Sequence, residues 1–117
     1  MAAPNRGDLV WLDFDPQAGH EQAGRRPALV ISPRGYHQNS SLAIVCPITS
    51  TIKGNPFEVR LPDGLPVSGV VLADQVKSVD RHARRIEHAG RAPAKVLDEV
   101  VAKILPLLAS SLSGRQV

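Results

Sequence analysis

Two arginines, Arg25 and Arg26, close a polar loop that carries His20, Glu21 and Gly24, and the chain behind them turns at once apolar. Pro27 pushes Arg26 toward an extended backbone. Residues 28–31 then read as a short buried strand, rich in β-branched side chains and closed by Pro33. Arg26 therefore stands at the root of a strand, where a sheet can aim it, while Glu21 sits on the looser side of the same loop. A fixed cation beside a flexible acidic loop suits an anionic substrate, phosphate first. His20 belongs to the residue type best suited to general-base work near neutrality. Further along, Thr49, Ser50 and Thr51 form a hydroxyl cluster at the end of an apolar run, with Lys53 just behind. Taken singly, each group has a plainer reading: a surface arginine beside a turn, an exposed loop histidine, hydroxyls that satisfy their own backbone.

The bulk numbers bound the class. A chain of 117 residues is long enough for one domain with a real core. A net charge of +3 and a pI near 9.5 are compatible with nucleic acid but too mild to argue for it alone. Aromatic residues make up only 3%, which disfavours a stacking surface of the RRM type. The single Cys46 lies in an apolar run and reads as a small core residue; one cysteine excludes an internal disulfide framework and a cysteine-based zinc site. The opening residues lack the apolar core of a signal peptide. No apolar run reaches the ~20 residues a bilayer demands. The expectation is a soluble, cytoplasmic protein made of a single domain over residues 1–117, with the last few residues frayed.

These groups need elements to hold them. Val10, Leu12 and Phe14 alternate with Trp11, Asp13 and Asp15, the pattern of a strand with one wetter face. Residues 16–25 form a long polar loop of the kind that carries function in a small domain. Residues 33–41 read as a turn-forming linker, and residues 42–48 as a strand buried on both faces. Residues 57–61 alternate again, and residues 62–66 make a turn. Residues 69–79 read as a strand pair or one bent strand, broken by the polar Asp74, Gln75 and Lys77. Asp80 caps a helical turn that carries the densest basic patch, Arg81, His82, Arg84 and Arg85. That patch is either a solvated face or a contact for phosphates or an acidic partner. Residues 85–89 supply a last short strand. Val96, Leu97, Val100, Val101, Ile104 and Leu105 then make one apolar stripe on a helix that Pro93 opens and Pro106 kinks or ends. Several short strands and one closing helix predict a mainly β (α+β) fold, a compact curled sheet or small barrel.

Residues 7–16, GDLVWLDFDP, and 21–33, EQAGRRPALVISP, resemble the opening of the MazF/PemK toxin family. Residues 47–51, PITST, with 53–59, KGNPFEV, are similar to its middle, and residues 72–78, LADQVKS, to a later strand. The resemblance covers residues 7–105 in order. It implies a small SH3-like β-barrel of the PemK/CcdB type with a C-terminal helix, working as a homodimer. It implies a toxin of a type II toxin–antitoxin system: an endoribonuclease, independent of metal or other cofactor, that cuts single-stranded RNA at short sequences and so stops translation and growth. It also implies a cognate antitoxin with an acidic, flexible segment that occupies the RNA groove.

Position by position, the resemblance makes Arg26 and Thr49 catalytic and matches Glu21 to an acidic loop residue implicated in activity. It gives RNA contacts to His20 and Arg25 in the first loop, to Ser50 and Lys53, and to Gln75 and Lys77. Arg81, Arg84 and Arg85 would meet the antitoxin or phosphate. The implied chemistry is attack of the 2′-hydroxyl on the adjacent phosphorus, giving a 2′,3′-cyclic phosphate and a 5′-hydroxyl. A fixed guanidinium and a hydroxyl donor stabilise charge on the non-bridging oxygens. The base stays open: the family points to the arginine, yet a guanidinium is almost never deprotonated near neutrality, and Glu21 or His20 is the easier acceptor. Two other classes share the barrel: a gyrase-poison toxin, which would carry an aromatic anchor at a C-terminus that here reads SGRQV, and an inactive antitoxin-binding module.

Overall fold

The computed structural model describes residues 3–14 and 19–109. Seven strands and two helices follow in the order β1 (Asp8–Asp13), β2 (Arg25–Val30), α1 (Arg34–Gln38), β3 (Leu42–Thr49), β4 (Glu58–Arg60), β5 (Val70–Leu72), β6 (Lys77–Asp80), β7 (Glu87–Arg91) and α2 (Ala94–Leu108). A short 3-10 turn, Ala73–Gln75, joins β5 to β6.

All pairings are antiparallel, and β3 is the spine. One edge of β3 holds β2, with Ala28 opposite Pro47 and Val30 opposite Val45. The other edge holds β5 near Ile48 and Thr49, then β6 along residues 42–45. That second edge breaks opposite Cys46 and Pro47, and Pro47 has no N–H to give to a ladder. Residues 69–79 are thus two strands on one neighbour, with the 3-10 turn as the bend.

The ladder runs β4–β5–β3–β2–β1–β7. Its two end strands are not paired to each other among the described residues, so the barrel-like sheet stays open rather than closed. The curl is nonetheless tight. Gly90 on β7 lies so close to Pro66 in the β4–β5 connection that a Cβ there would meet the proline Cγ at 2.5 Å.

Alternation along the strands fills two cores. Val10, Leu12 and Phe14 join Ala28, Val30, Ala43, Val45 and Val79 on one face. Leu9, Leu29, Cys46 and Ile48 face the other way, onto Val96, Val100 and Ile104 of α2. Full burial of each of those three helix side chains contributes about 1.5–3 kcal/mol. Burial, with help from the charge of Asp74, pushes the Cys46 thiol up to about 12, as fits an inert packing residue.

Several expected boundaries move. Arg25 and Arg26 lie inside β2, not before it. Residues 34–38 of the expected linker form a helix. The strand β3 is buried throughout only in its second half; Leu42 and Ile44 are exposed. The fourth strand keeps only three residues. Pro106 does not end α2, which runs on to Leu108. Asp80 does cap the turns after it, accepting from the backbone N–H of His82 and Ala83 at 2.9 Å. Asp15 and residues 110–117 lie outside the described residues.

Candidate active site

Arg26 leaves β2 opposite Leu12, and its Nε donates to the Ala23 carbonyl at 2.8 Å. Among the described residues that is the guanidinium's only hydrogen bond, so both terminal nitrogens remain for a ligand. Thr49 is the last residue of β3 and 7% exposed. Its Oγ1 accepts from the Thr51 backbone N–H at 3.2 Å, which leaves the hydroxyl proton to donate elsewhere. The β2–β3 ladder closes at Ala28 opposite Pro47, two residues from Arg26 on one strand and two from Thr49 on the other. Gly69, with φ +119°, packs so tightly under the Thr49 carbonyl that any Cβ would collide with it.

Both side chains line one polar hollow of about 490 Å³, together with His20, Lys53, Asp74 and Gln75. Two braces shape it. Gln75 Oε1 accepts from the Gln22 backbone N–H at 3.0 Å, and its Nε2 donates to the His20 carbonyl at 3.5 Å. Gln75 thereby holds the first loop, whose Ala23 carbonyl in turn holds Arg26. Across the hollow, the Glu58 carboxylate accepts from the backbone N–H groups of Lys53 and Gly54 at 3.1 and 2.9 Å and from Asn55 Nδ2 at 3.3 Å. That fixes the loop bearing the Lys53 ammonium. Two cations, a hydroxyl donor and amide groups around one hollow can hold a phosphodiester and stabilise charge that grows on it.

The chain matches, over residues 5–108, the family described as PemK-like, MazF-like toxin of type II toxin–antitoxin system. The chain belongs to that family. It is 46% identical over 105 residues to the endoribonuclease toxin MazF of Escherichia coli, an alignment covering 90% of this chain and 94% of that one. A crystal structure of MazF from Deinococcus radiodurans superposes with a TM-score of 0.88 at 57% identity, over 91% of this chain and 96% of that chain. A crystal structure of MazE–MazF from the same organism gives 0.83 at 54% identity, over 93% and 99%.

The other sequence-predicted residues scatter around this MazF-like cleft. Glu21 and Lys77 line an adjoining hollow of about 180 Å³, which shares Asp74 and Gln75 with the main one. Lys77 Nζ also lies 5.9 Å from the Phe14 ring centroid. Arg25 and Ser50 line a third hollow, which Arg26 also lines. Arg25 is tied by ion pairs to Asp13 at 3.0 Å and Glu87 at 3.2 Å, and donates to the Arg85 carbonyl at 2.9 Å.

The basic patch is not one surface. Arg81 donates to the carbonyls of His37 and Ser40, both at 2.9 Å, and braces α1 against the β6–β7 turn. Arg85 pairs with Asp13 at 2.8 Å, and Arg84 is half-buried in the same turn. Arg85, then Arg25, hold the Asp13 carboxyl below its usual range, and Asp13 in turn raises Arg85. Sequence reasoning missed Gln22, Asn55 and Glu58 of the cleft wall. The KGNPFE segment that holds Asn55 and Glu58 was read as turn and strand, and its two Asx- and Glx-type acceptors were the signal available.

Proposed function

We propose that this chain is the toxin of a type II toxin–antitoxin system and cuts single-stranded RNA at short sequences, without a metal, to 2′,3′-cyclic phosphate and 5′-hydroxyl ends. The observation that carries the reading is Arg26 and Thr49 on one hollow, inside a chain 46% identical to an endoribonuclease toxin. In this reading the scissile phosphate lies between them. The Arg26 terminal nitrogens and the Thr49 hydroxyl donate to the non-bridging oxygens as negative charge builds there, and Arg26 supplies a proton to the leaving 5′-oxygen. Lys53 raises the local positive potential. His20 on the wall and Glu21 in the adjoining hollow are the side-chain acceptors among the described loop residues for the 2′-hydroxyl proton. Gln75, Lys77, Ser50 and Arg25 meet the strand on either side.

An antitoxin is the natural partner, since MazF of Deinococcus radiodurans has been crystallised with MazE. An acidic segment would compete with RNA for the same cations, with Arg84 and the exposed guanidinium of Arg85 as outlying contacts. A second copy of the chain has exposed apolar side chains available at the end of α2 in Leu105, Leu107 and Leu108, each at least half exposed. No helix among the described residues is long and apolar enough to cross a membrane; we place the toxin in the cytoplasm, with its RNA.

The test incubates purified protein with a long unstructured RNA and excess EDTA, then sequences the cut ends. Cuts at one short motif with cyclic phosphate and 5′-hydroxyl ends are expected. A folded protein that cuts none of several RNAs would overturn the reading.

A further inference from the structure

Arg26 lines two hollows, not one. Beyond the polar hollow it shares with Thr49, it borders a second of about 360 Å³, walled by Trp11, Pro27 and Val67 and carrying the Ser50 and Ser68 hydroxyls. Trp11 is the chain's one tryptophan, and it sits on the wetter face of β1, 37% exposed. Its neighbours across the sheet are Pro27 on β2 and Glu87 on β7. The strands beneath it are stiffened by the Arg25 bridge to Asp13 and Glu87. A part-exposed indole therefore stands on a braced sheet and lines the same hollow as Arg26.

A phosphate held by Arg26 carries a nucleoside on each side. Because Arg26 lines both hollows, a strand held at it can lay one nucleoside into the hollow shared with Thr49 and its neighbour into the one lined by Trp11. The polar hollow offers groups that hydrogen-bond base edges. The second offers the Trp11 indole beside the Arg25 and Arg26 guanidinium groups and two hydroxyls, the makings of a stacking platform with cations for the flanking phosphates. We propose that Trp11 forms a base-stacking subsite for the nucleotide next to the scissile phosphate, with Ser50 and Ser68 at the base or ribose edge. This rests on the endoribonuclease reading above. Stacking tolerates any base, so the subsite sets affinity and the placement of the phosphate, with only modest sequence preference.

The experiment first maps the cut site, then replaces each base beside the scissile phosphate in turn by an abasic nucleotide. Rates are compared in the wild type, Trp11→Ala and Trp11→Phe, each checked for folding by circular dichroism. In the wild type, one abasic position should lower kcat/KM by about five- to a hundredfold, the range for loss of one stacked base. In Trp11→Ala the same abasic change should cost nothing further. Trp11→Phe keeps a stacking face and should retain most of the wild-type response, so the test stands even if the alanine variant folds poorly. Because Trp11 is the only indole, binding of an oligonucleotide with a 2′-deoxy sugar at the cut site should also quench the intrinsic fluorescence. An abasic penalty equal in wild type and Trp11→Ala, or tight binding without quenching, overturns the subsite. Either result would leave the indole as a surface for a protein partner. A wild-type protein that cuts no RNA would instead overturn the endoribonuclease reading, a separate outcome.

Discussion

Arg26 and Thr49 each stand two residues beyond Ala28 opposite Pro47, the last pair of the β2–β3 ladder, Arg26 held by Leu12 of β1 and Thr49 by Val70 of β5. Neither depends on a mobile loop for its backbone position. The sheet that makes the core also sets the distance between the two groups assigned to the phosphate, so the site is preorganised by the same hydrogen bonds that hold the fold.

Arg26→Ala should lower kcat by about 10²–10³, the usual cost of one charge-stabilising donor. Its aliphatic stem is only half-buried, so the melting temperature should stay close to wild type. Cleavage under single-turnover conditions, beside a thermal melt, checks both. An Arg26→Ala protein that cuts at the wild-type rate would remove this side chain from the mechanism.

Gln75→Ala should release the first loop without touching the core. The Gln22 N–H and the His20 carbonyl lose their partner, and the Ala23 carbonyl that aims Arg26 loosens with them. The expected signature is a lower kcat and faster proteolysis within residues 19–24, at nearly unchanged stability. If Gln75 only touched RNA, KM would rise and the protease pattern would not move.

Gly69→Ala should harm fold and activity together. The left-handed φ costs any side chain strain, and the new Cβ would collide with the Thr49 carbonyl. Destabilisation should exceed about 1 kcal/mol. Denaturant unfolding measures it, and the surviving folded fraction should cut more slowly because the end of β3 has been displaced.

Asp13 gives a pH signature. Its carboxyl is depressed by Arg85 and Arg25, so its ionised form is favoured by folding. The stability it contributes is present above the unfolded carboxylate value of about 4 and fades as pH falls through the lower folded value. Asp13→Asn should therefore melt lower than wild type at pH 7, with the difference shrinking toward pH 2–3. A gap that persists at pH 2 would show that the effect is packing, not charge.

Much of this was legible in the sequence because the carrying residues are local. Alternation at Val10, Leu12 and Phe14, the Arg-Arg-Pro step and the hydroxyls after an apolar run each announce themselves within a few positions. What escaped was held by distant partners. Residues 34–38 have no apolar stripe and contain Gly35; they are helical because buried His37 binds the Pro4 carbonyl through Nδ1 and the Ser32 hydroxyl through Nε2. The run from Arg81 to Arg85 looks like an open basic patch until it meets partners 44 and 72 positions away. No local pattern could have reported those partners.

The sheet joins its first strand to its last: Asp8 on β1 binds Arg91 on β7, 83 residues later. Such a non-local contact cannot form until both segments have left the ribosome, and high contact order makes its formation slow. The Gln75 brace likewise waits for a loop made more than fifty residues earlier. A nascent chain still threaded through the exit tunnel would therefore lack an assembled cleft. Synthesis and toxicity would be separated in time, and that interval is when a partner already present in the cell could seize the newly released chain before it cut anything.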